Sequence, residues 1–189
     1  QYQQQPVPRE GNIVKREWFR AFSSPPASET GDQIVQSWDT ASKVDPRNDY
    51  SACTTWLVRK NEYYLLNVLR ARLDFPDLRR RILSHAMAFR ARTVLIEDTG
   101  SGTALIQDLK HEGKIRPIGI KPKGEKIERL EGQSAVIEAG CVVLPESAPW
   151  KEEFIDEVIA FPGGRFDDQV DSLSQFLIWV TRRPTIRVG

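Results

Sequence analysis

Two β-rich runs, Ser51–Arg59 and 63–70, are separated by little more than Asn61-Glu62. So short a connection only reverses the chain, which makes the two runs an antiparallel hairpin. A third run, 34–38, precedes them across the breakers Pro46 and Asn48, giving a meander over 34–38, 51–59 and 63–71. The period then changes. Behind a capping Asp74 and a first-turn Pro76, Leu78, Ile82, Ala86 and Phe89 recur at helical spacing, and Arg79, Arg80, Arg81 and Arg90 take the other face. A strand at 93–96, a helix at 103–112, a strand at 115–120, a helix at 125–138, a strand at 141–144 and helices at 150–159 and 168–182 complete the pattern. A meander followed by βα units predicts an α/β fold. It is one mixed sheet of antiparallel and parallel strands flanked by helices, with strand 34–38 between 51–59 and 93–97. The length of 189 residues suits one well-buried domain. Residues 1–31, polar at Gln1-Tyr2-Gln3-Gln4-Gln5-Pro6 and linker-like at Ser23-Ser24-Pro25-Pro26-Ala27-Ser28, read as an irregular interdomain segment. Residues 32–189 form the domain.

Acids stand at the ends of these elements. The first strand runs into Asp39, and the strand at 93–96 runs into Glu97-Asp98. The last helix opens on Asp167-Asp168-Gln169-Val170-Asp171. Singly, each has a plain structural explanation as a turn or helix cap. Jointly they have another. Open α/β sheets place sites at the carboxyl ends of central strands. Carboxylates converging there repel one another unless a divalent cation offsets the repulsion. Mg²⁺ and Mn²⁺ prefer such oxygen ligands, so Asp39, Glu97, Asp98, Asp167, Asp168 and Asp171 are candidate metal ligands. On a helix starting near Asp167, Asp168 and Asp171 share a face, which favours Asp168 as the ligand and Asp167 as the cap. The glycines at 100 and 102 are followed by no lysine and belong to no GxxxxGK[ST] loop, so they read as a sharp turn beside a crowded site. The stretch Lys121-Pro122-Lys123-Gly124-Glu125-Lys126-Ile127-Glu128-Arg129 has two readings, a solvated helix start or contacts to nucleic-acid phosphates.

Bulk chemistry narrows the classes. A net charge of +1 exerts no global pull on DNA or membrane, which disfavours a basic adaptor and makes any basic surface local. No apolar run spans a bilayer and no signal peptide opens the chain. Cys53 and Cys141 lack CxxC spacing and read as reduced core thiols of a cytosolic protein. His85 and His111 have no second ligand at metal spacing and read as surface helix residues.

Four segments together resemble the C-terminal nuclease domain of the large terminase subunit of tailed bacteriophages and prophages. They are Gln36-Ser37-Trp38-Asp39-Thr40-Ala41 with Asp49-Tyr50-Ser51; Ile96-Glu97-Asp98 with Gly102 and Leu105-Ile106-Gln107; Lys121-Pro122 with Lys126 and Arg129; and Phe161-Pro162-Gly163 with Asp167-Asp168-Gln169-Val170-Asp171-Ser172-Leu173. The resemblance implies an RNase H-like fold and metal-dependent endonucleolytic cutting of concatemeric viral DNA. It matches Asp39, Glu97 and Asp168 (or Asp167) to the catalytic acids. Many relatives carry histidine where this chain has Phe166. Two ions, Mg²⁺ or Mn²⁺, roughly 4 Å apart would share Asp39. The implied partners are double-stranded DNA (through Lys121, Lys123, Lys126 and Arg129), an ATPase domain, a small terminase subunit and a portal protein. The implied location is the bacterial cytoplasm, transiently at the procapsid, with no membrane. Other readings remain open at this point: a resolvase- or transposase-type RNase H-like nuclease, or a catalytically silent docking module of the packaging motor.

Overall fold

The structure is a computed structural model, and it describes residues 11–40 and 49–182. The turn expected around Lys43 to Asn48, and Ala41 of the first acid segment, lie outside the described residues. Seven strands form one sheet: β1 (Arg20–Phe22), β2 (Gln33–Asp39), β3 (Ser51–Arg59), β4 (Glu62–Ala71), β5 (Thr93–Glu97), β6 (Ile118–Ile120) and β7 (Val142–Pro145). Their order is β1-β7-β4-β3-β2-β5-β6. β2 pairs antiparallel with β3 and parallel with β5, as expected, so it sits inside the sheet. β3 and β4 form the hairpin, with a register shift at Thr55/Trp56. The reversal lies one residue earlier than expected: Arg59 pairs with Glu62, and Lys60 takes a positive φ of 52°.

Among the described residues six α-helices cover the sheet: α1 (Phe75–Phe89), α2 (Ser101–Glu112), α3 (Lys126–Glu131), α4 (Ser134–Glu138), α5 (Lys151–Ala160) and α6 (Asp168–Thr181). α1 starts as the sequence predicts, with the Asp74 carboxylate accepting from the Asp77 backbone N–H at 2.9 Å. The helix expected over 125–138 is two short helices broken at Gly132 and Gln133. Gly132 has no side chain to hold the helix through that point. Leu130 and Ile137 are nevertheless both buried, which is why the pattern reads as continuous.

The irregular reading of 1–31 is too plain for its described part. Val14 is fully buried, and β1 pairs parallel with β7 at the sheet edge, where Phe22 meets the Tyr64 ring at 5.8 Å. Three residues are too few for a periodic signal, so partner strand β7 makes this strand rather than local preference.

Successive side chains on a strand point to opposite faces, so the inner strands β2 to β5 feed two cores. On one face, Val35, Trp56, Leu65 and Leu95 pack with Phe154, Leu173, Phe176 and Leu177 of α5 and α6. There Trp56 and Phe176 stack with ring centroids 4.5 Å apart. On the other face, Trp38, Cys53, Val94 and Ile96 pack with Leu78 and Ile82 of α1 and Leu105, Ile106 and Leu109 of α2. Cys53 and Cys141 are free thiols. Among the described residues no helix is long and apolar enough to cross a membrane.

Candidate metal centre

Strand parity decides which acids meet. Val35 and Leu95 face α6, so by the period of two Ser37, Asp39 and Glu97 face α6 as well. Trp38 of β2 lies beside Ile96 of parallel β5, which brings Asp39 and Glu97 out at the same end of neighbouring strands.

α6 is fixed over that end by buried polar groups. The Ser37 hydroxyl donates to the Ser172 carbonyl at 2.8 Å, and the Ser172 hydroxyl donates to the Ser37 carbonyl at 2.7 Å. The Thr54 backbone N–H donates to the Ser172 hydroxyl at 3.1 Å. The Gln175 amide donates to the Ser37 hydroxyl at 2.9 Å and to the Trp38 carbonyl at 3.2 Å. Each bond satisfies a group that would otherwise be costly to bury, so they set the position of the helix along the strand. Asp171 is thereby presented next to Ser172, and Asp168 one turn earlier.

The electrostatics show the convergence. Asp39 keeps some exposed area, but the surrounding protein desolvates its carboxyl. Burial holds its pKa well above the usual carboxylate range, with the charges of Asp171, Glu97 and Asp168 adding to the effect and Lys126 opposing it. Burial also raises Asp168, against the pull of Arg70. It raises Asp171 against Lys126 and Arg129. The cations are close: Lys126 Nζ is 2.7 Å from Asp167 and 2.6 Å from Asp171, and Arg129 Nη2 is 2.9 Å from Asp171. Arg70 Nη2 approaches Asp168 at 3.5 Å. Desolvation lowers the pKa of Lys126, but its bonds to Asp167 and Asp171 more than reverse this, so it stays charged.

The candidates divide accordingly. Asp39, Glu97, Asp168 and Asp171 converge. Asp98 does not join them: it falls on the opposite strand parity and accepts from the Thr103 hydroxyl at 2.8 Å. Asp167 stands at the helix start without capping it through its side chain. The cap comes instead from Glu157 on α5, which accepts from the backbone N–H of Gln169 at 2.7 Å and of Val170 at 3.4 Å. This corrects the capping role expected for Asp167, whose carboxylate is taken by Lys126. Lys121, Lys123 and Arg129 line the same cleft as Glu97 and Asp171, so the structure brings the basic segment and the acids together. Lys126 and Arg129 do point the same way from α3, as their spacing predicts, but toward carboxylates.

Gly102 is needed for close approach: a Cβ there would lie 2.0 Å from the Glu97 carbonyl oxygen, so only glycine lets α2 begin this near the end of β5. His111 is exposed as expected, but His85 is half-buried against the Trp38 ring, 5.8 Å away, and this corrects its surface reading. Sequence reasoning missed Arg70, Ser37, Ser172, Gln175 and Glu157. None of them carries a local signal, because each acts on a partner far away in sequence.

The donor set fits hard divalent cations, being all carboxylate oxygen with a buried, charge-crowded member at its centre. Among the described residues, no three acid, histidine or cysteine side chains are arranged as they stand to hold a metal ion together. Lys126, Arg129 and Arg70 hold two of the acids instead.

Comparison with known proteins places this arrangement. The family model described as the terminase RNaseH-like domain matches residues 36–178. No curated protein matches the chain. Among solved structures, the large terminase nuclease from thermophilic phage G20c with bound magnesium is similar at a TM-score of 0.68 and 16% identity, over 90% of this chain and 98% of that one. The cobalt-bound form gives 0.69 and 16% over the same shares. The large terminase of a second thermophilic bacteriophage, in complex with ADP, gives 0.67 and 12%, over 95% of this chain but 46% of that one. Seven mixed strands between two helical layers are the shared RNase H-like architecture. With the model matched from the first acid strand to the last helix, the chain belongs to the terminase RNase H-like domain family.

Proposed function

We propose that the domain is a divalent-metal-dependent endodeoxyribonuclease that cuts viral DNA during packaging. The observation that carries this reading is the desolvated Asp39 carboxylate facing Glu97, Asp168 and Asp171 at the end of two neighbouring strands. Asp39, Glu97 and Asp168 would hold the metal, with Asp171 beside them, and Mg²⁺ or Mn²⁺ fits as a pair of ions sharing Asp39. Bound there, the ions would supply Lewis acidity, making water nucleophilic and stabilising the leaving oxygen. The protein's own share is positional. Ser37, Ser172 and Gln175 hold the two acid-bearing elements together, and Arg129 and Lys126 orient Asp171 and limit its repulsion of Asp39. Lys121 and Lys123 would contact DNA phosphates at the rim. No side chain has to act as nucleophile.

The family also supports double-stranded DNA as substrate and a packaging motor as context. An ATPase domain, a small terminase subunit and a portal protein are its proposed partners, and the host cytoplasm its proposed location. The test is Asp39→Ala. Mn²⁺-dependent nicking of plasmid DNA should be lost, while the metal-free melting temperature is unchanged or raised, because a buried repelling charge is gone. Wild-type cutting rates in this variant would sink the reading. Asp168→Asn should be equally inactive, and a fully active Asp168→Asn would move the ligand to Asp167.

A further inference from the structure

Beside Asp168, three arginines pack on two rings: Arg70 on both Tyr50 and Phe166, Arg72 on Tyr50 and Arg165 on Phe166. The Arg72 guanidinium lies 4.4 Å from the Tyr50 ring centre. Arg70 lies in the corner that the two rings form, 3.8 Å from the Tyr50 centre and 4.2 Å from the Phe166 centre. Arg165 lies 4.9 Å from Phe166. The two rings meet edge to face at 5.5 Å. Only the middle cation is neutralised, by Glu153 and Asp168, and its side chain is 12% exposed. Arg72 and Arg165 are exposed and make no ion pair among the described residues.

Three guanidinium groups this close repel one another. The ring faces between them offset part of that repulsion. What remains is unspent positive charge on Arg72 and Arg165. A guanidinium packed on a ring face keeps N–H groups available, and its fork of donors matches two oxygens of one phosphate. Contact with the rings restrains Arg72 and Arg165, which lowers the ordering cost of a phosphate contact below that of a freely rotating surface arginine.

The position agrees. Arg70 and Arg72 come from β4 and its exit, whereas Lys121 and Lys123 follow β6. In the sheet order β4-β3-β2-β5-β6, the acids on β2 and β5 lie between these two basic rims. We propose that Arg72 and Arg165, seated on the Tyr50 and Phe166 rings, bind backbone phosphates of duplex DNA on the side of the acid cluster away from Lys121 and Lys123. The proposal rests on the nuclease reading for its choice of DNA.

The test is the salt dependence of binding to a labelled duplex of random sequence, read by fluorescence anisotropy with Ca²⁺ in place of Mg²⁺. Each lost phosphate contact reduces the slope of log K against log salt by about 0.9. Arg72→Ala/Arg165→Ala should reduce it by one to two such steps at an unchanged melting temperature. Tyr50→Leu/Phe166→Leu, which keeps both arginines but removes their platform, should weaken binding with a smaller loss of slope. An unchanged slope in the arginine double variant overturns the proposal. So does a wild-type protein that binds no duplex at all, which would leave an acidic protein surface as the counterpart of the two arginines. Mn²⁺ nicking by the wild-type protein is scored alongside. Nicking with an unchanged slope removes the arginine contacts and spares the nuclease reading, and a changed slope without nicking does the reverse.

Discussion

At Asp171 two cations share one carboxylate, Lys126 at 2.6 Å and Arg129 at 2.9 Å. On the proposed reading, an arriving divalent ion would meet an ammonium group that already serves the same charge. Lys126→Gln should therefore bind Mn²⁺ several-fold tighter by calorimetry, and should lower metal-free stability by on the order of 1 kcal/mol because Lys126 is half-exposed and solvent screens the pair. Weaker Mn²⁺ binding in this variant would show that the lysine supports the metal rather than competing with it. On the opposite face of the sheet, His85 gives a second residue-scale expectation. Burial, aided by the charge of Arg81, lowers its pKa from 6.5 to about 4. Between those values the unfolded chain carries a proton that the folded protein lacks, so this group's contribution to stability falls as pH drops from about 6.5 to about 4. The raised carboxyls Asp39, Asp168 and Asp171 slope the other way, destabilising the metal-free fold as pH rises. Subtraction isolates the histidine: His85→Gln should lose less melting temperature than the wild type over that acidic interval, and parallel curves would remove His85 as the cause.

The elements that carry the acids are held from a distance. α6 begins with its first N–H groups satisfied by Glu157 of α5, a carboxylate that burial raises in pKa against the bonds from Gln169. Glu157→Ala leaves those donors buried and unpaired, and should cost about 1–3 kcal/mol by chemical denaturation. Asp167→Asn, at the nominal cap position, should cost about 1 kcal/mol or less, since it loses only a half-exposed ion pair. Equal costs for the two would restore Asp167 as the cap. This contrast also marks where reading a sequence stops. The meander, α1, α6 and the parallel strand β5 are legible because their signals are periodic within a few turns or residues. The convergence of Asp39, Glu97 and Asp168 is legible because strand ends and helix starts carry them. The break at Gly132 is hidden because Leu130 and Ile137 keep helical phase across it. β1 is hidden because only β7 makes it a strand. Glu157 and Arg70 act on residues far away in sequence, and no local window contains both partners.

Across the whole molecule, the proposed metal site ties ion binding to the fold. Acids on β2, β5 and α6 form one cluster, so an ion bound there would hold the folded state and have no matching site in the unfolded chain. The melting temperature should rise with Mn²⁺ concentration, with a stabilisation of about 2.7 kcal/mol at one hundred times the dissociation constant. Asp39→Ala should abolish the rise, and a rise that persists in Asp39→Ala would place the ion elsewhere. The pairing of Ser37 with Ser172, 135 residues apart, has a consequence in time. During synthesis the meander and its parallel neighbour emerge long before α6 exists to lie across them. The acid cluster is thus the last feature to assemble, and an unfinished copy of the chain is a sheet with half a site. On the nuclease reading, a chain interrupted before α6 would lack Asp168 and Asp171 and so would not cut the nucleic acid around it.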